Sequence, residues 1–463
     1  MSALQGQLDV AEAALPIRVV GRVAALKGLT VLVNELPLPV GATVEIMPTS
    51  SRARVAGEIV GFTREQAIVM LFGAAGGIRP GDQVEGVHAS PAAPIGATML
   101  GRVVNALGVP IDNRGPIRDT AMLPIDTPPL GAMQRARVEQ PIHTGVRAID
   151  LMTTLGRGQR MGIFAGPGVG KSTLLGSIAR GTSADVNVIA LVGERGREVR
   201  DFLEGSLGEE GLRRSVIVVA TGDEPPLMRI RAALLACAIS EFFRDAGRDV
   251  MLMMDSVTRF AHAQRQVGLS VGEPPATKGY TPSVFAQLPV LLERAGPSEA
   301  SGGSVTGLYT VLVEGDDMTE PVADAARGIL DGHVVLSRKL AQKSHFPAID
   351  VLDSVSRIAD DIVDDQHRVA RNLLRQLMAA YANVEELVQI GAYARGSDPD
   401  ADVGVAYQPR INDILRQSAG DRADAAESRD HMLRIAMEAG EHLRRLRAAA
   451  ANPSQPGNPS EAG

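Results

Sequence analysis

From Ile17 to His88, short β-branched runs alternate with turn residues. The runs are Ile17–Leu26, Leu29–Val33, Thr43–Met47, Val55–Val60, Ala67–Phe72 and Gln83–His88. Gly28, Pro39-Val40-Gly41, Gly57, Gly76-Gly77 and Pro80-Gly81-Asp82 punctuate them. Short strands at this spacing predict a small closed barrel. Pro91-Ala92-Ala93-Pro94 reads as a linker, and a Pro-rich crossing segment runs on from Leu100 to Pro129. From about Pro141 strands alternate with helices, the pattern of a parallel sheet covered by helices. Its strands are Met161–Ala165, Val186–Val192, Ser215–Ala220, Val250–Asp255, Ser304–Val313 and Val334–Ser337, with helices such as Pro226–Phe243 and Val257–Gln266. Beyond Arg357 the pattern is helical: Ile358–Ala382, Val384–Gly391, Gln408–Gln417 and Glu427–Ala450. The chain therefore divides into a barrel domain (1–92), an α/β core (93–357), a helical domain (358–450) and a tail (451–463). Asn452-Pro453-Ser454-Gln455-Pro456-Gly457 opens a tail that cannot bury a core and is expected to be disordered. Residues 1–15 carry no strong pattern, and no internal repeat is present.

Chemistry enters at Met161–Thr173, where an apolar run passes through Gly166-Pro167-Gly168-Val169-Gly170 into Lys171-Ser172-Thr173 and a helical pattern. This is the strand–loop–helix setting of a phosphate-binding P-loop. Gly166, Gly168 and Gly170 let backbone N–H groups curl around an anion, and the helix N-terminus adds its positive dipole end. Lys171 is placed to reach the β- and γ-phosphates and Ser172 to ligate Mg²⁺. The first glycine of the motif is Ala165 here, a relaxed form. A second element, Val250-Met251-Leu252-Met253-Met254-Asp255, is an apolar strand ending in the carboxylate that such sites present to Mg²⁺. The third, Val192-Gly193-Glu194-Arg195-Gly196-Arg197-Glu198, puts Glu194 where it could polarise an attacking water and Arg195 where it could meet phosphate charge. On pattern alone, a solvated charge run opening a helix accounts for it equally well.

Composition narrows the classes. Lys plus Arg number 47 against 54 Asp plus Glu, a net charge of −7, so no basic balance favours nucleic acid. With no Trp and 3% aromatic residues, few platforms exist for stacking bases. Cys237 is the single cysteine, which excludes intrachain disulfides and Cys-based zinc sites; within Ala-Leu-Leu-Ala-Cys-Ala-Ile it reads as a buried structural thiol. Neither a signal peptide nor an apolar span of about 18 residues appears, and a cytoplasmic location is expected, with membrane work left to partners.

These three elements, together with Pro347-Ala348-Ile349-Asp350-Val351-Leu352-Asp353-Ser354-Val355-Ser356-Arg357, resemble the α/β subunit family of rotary ATP synthases. Gly272-Glu273-Pro274-Pro275-Ala276-Thr277-Lys278-Gly279-Tyr280, Ser183-Ala184-Asp185-Val186 and Val313-Glu314-Gly315-Asp316-Asp317-Met318 resemble its export ATPases of flagella and type III secretion systems. Ile390-Gly391-Ala392-Tyr393 and Gly396-Ser397-Asp398-Pro399 look closer to the flagellar branch than to the injectisome branch. The resemblance covers roughly residues 17–445. It implies a RecA-like P-loop ATPase core between an N-terminal small β-barrel and a C-terminal helical domain. Carried over, it makes Lys171 the phosphate lysine, Ser172 and Asp255 the Mg²⁺ residues and Glu194 the catalytic carboxylate, with Arg195 the arginine that follows it. Arg357 matches an arginine finger serving a neighbouring subunit, and Phe346 an adenine-stacking aromatic. An exposed ion pair for Arg357 and core packing for Phe346 are the alternatives.

The resemblance implies a homohexamer hydrolysing ATP with Mg²⁺ and energising type III protein export. Expected partners are the stalk and regulator proteins, export chaperones and substrates, at the inner-membrane export gate and without nucleic acid. A rotary ATP synthase subunit is the second reading; a catalytic Glu and an arginine finger in one chain favour a homohexamer over it. A ring translocase on RNA is the third, and residues 17–88 hold just two aromatics for it, Phe62 and Phe72.

Overall fold

The computed structural model describes residues 19–313 and 317–451. The first expected strand is thus seen from Val20, and residues 1–15, Glu314-Gly315-Asp316 and the expected disordered tail after Ala451 lie outside the described residues.

Six antiparallel strands, Val20–Lys27, Thr30–Asn34, Thr43–Met47, Val55–Phe62, Gln66–Leu71 and Gln83–His88, close into a barrel. Alternation does the sorting: in Thr43–Met47 the side chains of Val44 and Ile46 are buried while their neighbours are half-exposed. Val31, Val33, Ile59, Val69 and Val84 complete the barrel interior. The barrel is fixed to the core by a buried ion pair, Glu58 with Arg231, at 2.5 Å. Arg231 also donates to Ala92 O at 3.0 Å and lies 4.9 Å from the centre of the Phe72 ring.

The core is one sheet. Across it run Ile349–Ser356, Gly332–Leu336, Arg160–Ala165, Ser304–Leu312, Asp249–Asp255, Val186–Glu194, Ser215–Thr221 and Val103–Asn105. All neighbours in this path are parallel except the first pair, where Ile349–Ser356 runs antiparallel as the edge. The central strands are buried on both faces, which is why they read as continuous apolar runs. Cys237 lies inside the Pro226–Asp245 helix, and burial pushes its thiol up to about 12, as expected of an inert structural cysteine.

Three helices, Asp365–Gln389, Pro399–Leu415 and Ala425–Ala451, form the C-terminal domain. Leu377, Val403, Ala439 and Leu443 join them. Ala370, Leu374, Ile411, Ile414, Met432 and Ile435 belong to the same apolar cluster as the underside of the sheet. The helical domain is therefore packed onto the core rather than hung from it.

Three expectations are corrected. The supposed linker contains a strand, Ala92–Ile95, paired with Ala121–Pro124 and burying Ala93 and Ile95. Within the Pro-rich segment, Val103–Asn105 joins the far edge of the sheet beside Ser215–Thr221. Ile358–Ala382 and Val384–Gly391 are one helix starting only at Asp365, because Asp364 caps it by accepting His367 N–H at 2.9 Å and nothing interrupts it at Asn383.

Candidate active site

The Arg160–Ala165 strand is central, and its last residue, Ala165, pairs with Leu312 and Leu336 on either side. Ala165 has ordinary strand backbone, so no glycine is needed there and the relaxed motif carries no penalty. The loop turns instead at Gly168 (φ 77°) and Gly170 (φ 97°), where a side chain would be strained. Helix Lys171–Gly181 follows with no side chain capping its N-terminus, so its first N–H groups are left for a ligand. Ser172 and Thr173 lie exposed in that first turn; Pro167 and Gly168 are exposed, Gly166 and Val169 buried.

Three strand ends converge under this loop. Lys171 Nζ donates to Asp255 Oδ1, and to Glu194 Oε1 at 3.4 Å. Asp255 Oδ1 also accepts the Thr310 hydroxyl at 2.8 Å. Burial opposes the charge on Lys171, but the two carboxylates outweigh it and its pKa is raised. Burial raises Asp255 and Glu194 as well, and the neighbouring Glu198 carboxylate adds to the effect on Glu194. One ammonium facing two buried carboxylates leaves acid in excess, a setting that suits a divalent cation held partly by phosphate oxygens.

Glu194 reaches this position through an irregularity in its strand at Gly193 (φ 75°). A Cβ on Gly193 would lie 2.9 Å from Arg259 Cβ, so glycine also admits that arginine. Arg259 Nε is buried without a hydrogen-bond partner. Sequence reasoning passed over Arg259, although an arginine in the first turn after the strand-terminal Asp255 was the available clue. It passed over Thr310 too, since only sheet order brings the two strands together. Arg195 stands apart from the cluster: its side chain is 85% exposed and faces Glu198 at 3.5 Å.

Beside the loop opens a cleft of about 670 Å³ lined by Val169, Gly170, Thr173, Phe346, Pro347 and Gln417, among others. Phe346 is 47% exposed, so it walls the cleft instead of filling the core. Gln417, from the segment after the second C-terminal helix, donates to Gly145 O at 2.8 Å and accepts Arg147 N–H at 2.9 Å. Its own N–H donates to Phe346 O at 2.9 Å.

Arg357 is not in this group. The edge strand runs backwards, so Ile349 lies opposite Leu336 at the P-loop end and Ser356 opposite Gly332 at the other. Arg357 therefore emerges at the N-terminal end of the parallel strands, where its N–H donates to Asp331 O at 3.0 Å. Its exposed guanidinium makes one long contact, to Arg327 O at 3.4 Å.

A P-loop on a central parallel strand, with carboxylates at the ends of two further strands, defines a nucleoside triphosphatase core. Residues 145–356 match the nucleotide-binding domain of the ATP synthase alpha/beta family, and residues 363–434 the C-terminal domain of the type III secretion ATPase EscN. The chain is 46% identical to the flagellum-specific ATP synthase of Pseudomonas aeruginosa, over 88% of this chain and 91% of that one. It is 48% identical to the type 3 secretion system ATPase of Xanthomonas euvesicatoria, over 88% and 92%. The structure of the assembled ATPase EscN in complex with its central stalk EscO, from enteropathogenic E. coli, superposes with a TM-score of 0.83 at 39% identity, covering 90% of this chain and all of that one. The chain belongs to the ATP synthase alpha/beta family, in its branch of flagellum-specific and type III secretion ATPases. It is a nucleotide-binding ATPase of the protein-export kind.

Proposed function

We propose that the protein is a homohexameric Mg²⁺-dependent ATPase driving flagellar protein export, in which each active site is completed by Arg357 of a neighbouring subunit. The observation that carries this is the separation of Arg357 from the Lys171–Asp255–Glu194 cluster by the length of one strand. From the level of Ala165 to that of Ser356, which lies opposite Gly332, is four residues, roughly 13 Å at the usual strand rise. A finger so placed cannot serve its own P-loop; head-to-tail packing brings it to the next one, and head-to-tail packing closes into rings.

Within one site, the Gly166–Gly170 loop and the N–H groups of Lys171, Ser172 and Thr173 hold the phosphates. On binding, Lys171 exchanges its two carboxylate partners for phosphate oxygens. Ser172 and Asp255 would hold Mg²⁺, which would supply charge neutralisation for the bound phosphates. Glu194, released from Lys171, accepts a hydrogen bond from the attacking water and orients it. Arg259, with an unpartnered Nε beside Gly193, stands on the same side as the γ-phosphate and supports its charge, and Arg195 turns inward to meet it. Phe346 stacks on adenine in the cleft. The neighbour's Arg357 forks across the γ-phosphate, a task suited to a group that stays charged.

The relative EscN has been solved in complex with its central stalk EscO, and by analogy we assign a stalk protein, a regulator, chaperones and export substrates to the helical domain here. Among the described residues no helix is long and apolar enough to cross a membrane, so attachment at the export gate rests on partners. The Tyr393 hydroxyl donates to Asp402 Oδ1 at 3.0 Å and so holds the Ile390–Pro399 segment that favours the flagellar branch. The mechanism is tested by mixing: Arg357→Ala rings are expected to bind nucleotide but turn over slowly, and to regain activity when mixed with Glu194→Gln subunits. No regain in mixed rings rejects the shared site. Restored swimming in cells lacking their own flagellar ATPase tests the flagellar assignment, and rescue of an injectisome mutant alone reverses it.

A further inference from the structure

The segment that carries Arg357 is gripped from two sides. On the core side, the buried Gln159 side chain donates to Ser356 Oγ at 3.0 Å, and Ser356 Oγ donates to Thr154 O at 2.9 Å. On the other side stands the first helix of the C-terminal domain. Arg375 Nη1 donates to Val351 O at 2.7 Å and Ser354 O at 3.2 Å, and its Nη2 to Leu352 O at 3.3 Å. One turn earlier on the same helix face, Arg371 pairs with Asp360. These two arginines thus hold the chain before Arg357 and after it.

Ordinary edge protection accounts for some of this, since an edge strand exposes a row of carbonyls that a protein does well to cover. It does not account for the placement. Both arginines belong to the helical domain, and their partners all fall within the ten residues centred near the finger, from Val351 to Asp360. The same domain also reaches the chain's own nucleotide cleft, where Gln417 N–H donates to Phe346 O at 2.9 Å. A single packed body therefore touches the site a subunit owns and the finger it lends.

We propose that Arg375, backed by Arg371, is a positioning residue for the arginine finger: it ties the Val351–Ser356 strand to the helical domain, so that the docking of this domain sets where Arg357 sits in the neighbouring site. This rests on Arg357 acting in trans. A guanidinium spanning three carbonyls fixes the strand's height against the helix, which one contact would not. Small shifts matter at such a position, because a misplacement of about 1 Å can cost about a hundredfold in rate.

The experiment uses assembled full-length rings of Arg375→Met, Arg375→Lys, Arg357→Ala and the double variant Arg357→Ala/Arg375→Met. Arg375→Met is expected to lower kcat roughly tenfold or more, with KM and ring assembly unchanged. Arg375→Lys, able to reach some of the same carbonyls, should recover part of it. The double variant should turn over no slower than Arg357→Ala alone, since both act through one group. Multiplying effects, or an Arg375→Met ring that merely melts earlier while turning over normally, overturns the proposal. If Arg357→Ala itself leaves kcat intact, the trans reading has failed; if only Arg375→Met is silent, that reading stands and the positioning role is gone.

Discussion

Two buried cations in this core have opposite surroundings. Arg294 is 1% exposed at its side chain and faces a single carboxylate, Glu241. Its Nε and Nη2 bond the two oxygens of Glu241 at 2.7 and 2.6 Å. The remaining donors go to Ile125 O, Leu234 O and the Thr127 hydroxyl at 2.6, 3.4 and 2.8 Å. Charge is balanced and every donor has a partner. Lys171 also faces carboxylates, but two of them, and its cluster opens towards the exposed Ser172 and Thr173. The contrast teaches how to tell scaffold from site among buried ion pairs: the first is closed and neutral, the second open and acidic, awaiting cations and phosphate.

The largest expected effects fall on the open cluster. Lys171→Ala or Glu194→Gln should reduce ATP turnover by about three orders of magnitude or more, and Glu194→Gln should do so with the melting temperature little changed. Normal turnover in purified rings of either variant would erase the distinction. Arg294→Met should do the reverse. Glu241 would be left buried without its partner, costing about 3–5 kcal/mol in denaturant titrations, while turnover per folded molecule persists. Adding Glu241→Leu should return most of that stability; failure to do so would mean the pair is more than scaffold.

The next test is acid. In the proposed mechanism Glu194 must be ionised to orient water, and burial raises its pKa above the ordinary 4.5. The acid limb of kcat/KM should accordingly lie above the range of an exposed glutamate, with activity falling as pH drops through the raised value; a limb at the ordinary value counts against Glu194. The smallest effect concerns Asp112, which bonds Arg102 and whose carboxyl is held at about 2. The pKa is depressed on folding, so its contribution is whole above the ordinary 3.8 and is lost as pH falls towards 2. Asp112→Asn should flatten the stability curve in that window and leave the neutral-pH rate alone.

Much of this was legible in the chain. All six core strands named from apolar runs are present, because strands buried on both faces must be apolar throughout. Barrel strands were visible by alternation, with bounds shifted by a few residues. Gly166–Thr173, Glu194 and Asp255 could be found because a phosphate nest needs contiguous residues and its carboxylates end recognisable strands. Ala92–Ile95 was missed: Pro91 and Pro94 mark a linker by composition, and only pairing with Ala121–Pro124, far along the chain, makes a strand of it. Thr310, Arg259 and Gln417 were missed for the same reason, since each acquires meaning from a neighbour remote in sequence.

What the sequence determined alone was local: most of the strands and helices, where the glycine-rich loop turns into a helix, and which family the chain joins. Those follow from backbone propensities and from motifs whose parts touch in order. The tertiary structure decided what depends on direction and distance. Strand order put Asp255 and Glu194 under Lys171, and the reversal of one edge strand sent Arg357 to the far end of the sheet. Packing of the helical domain set Arg375 and Arg371 against the chain before and after Arg357. No periodicity encodes such facts, because they are set by which surfaces can be buried against each other once the chain has closed.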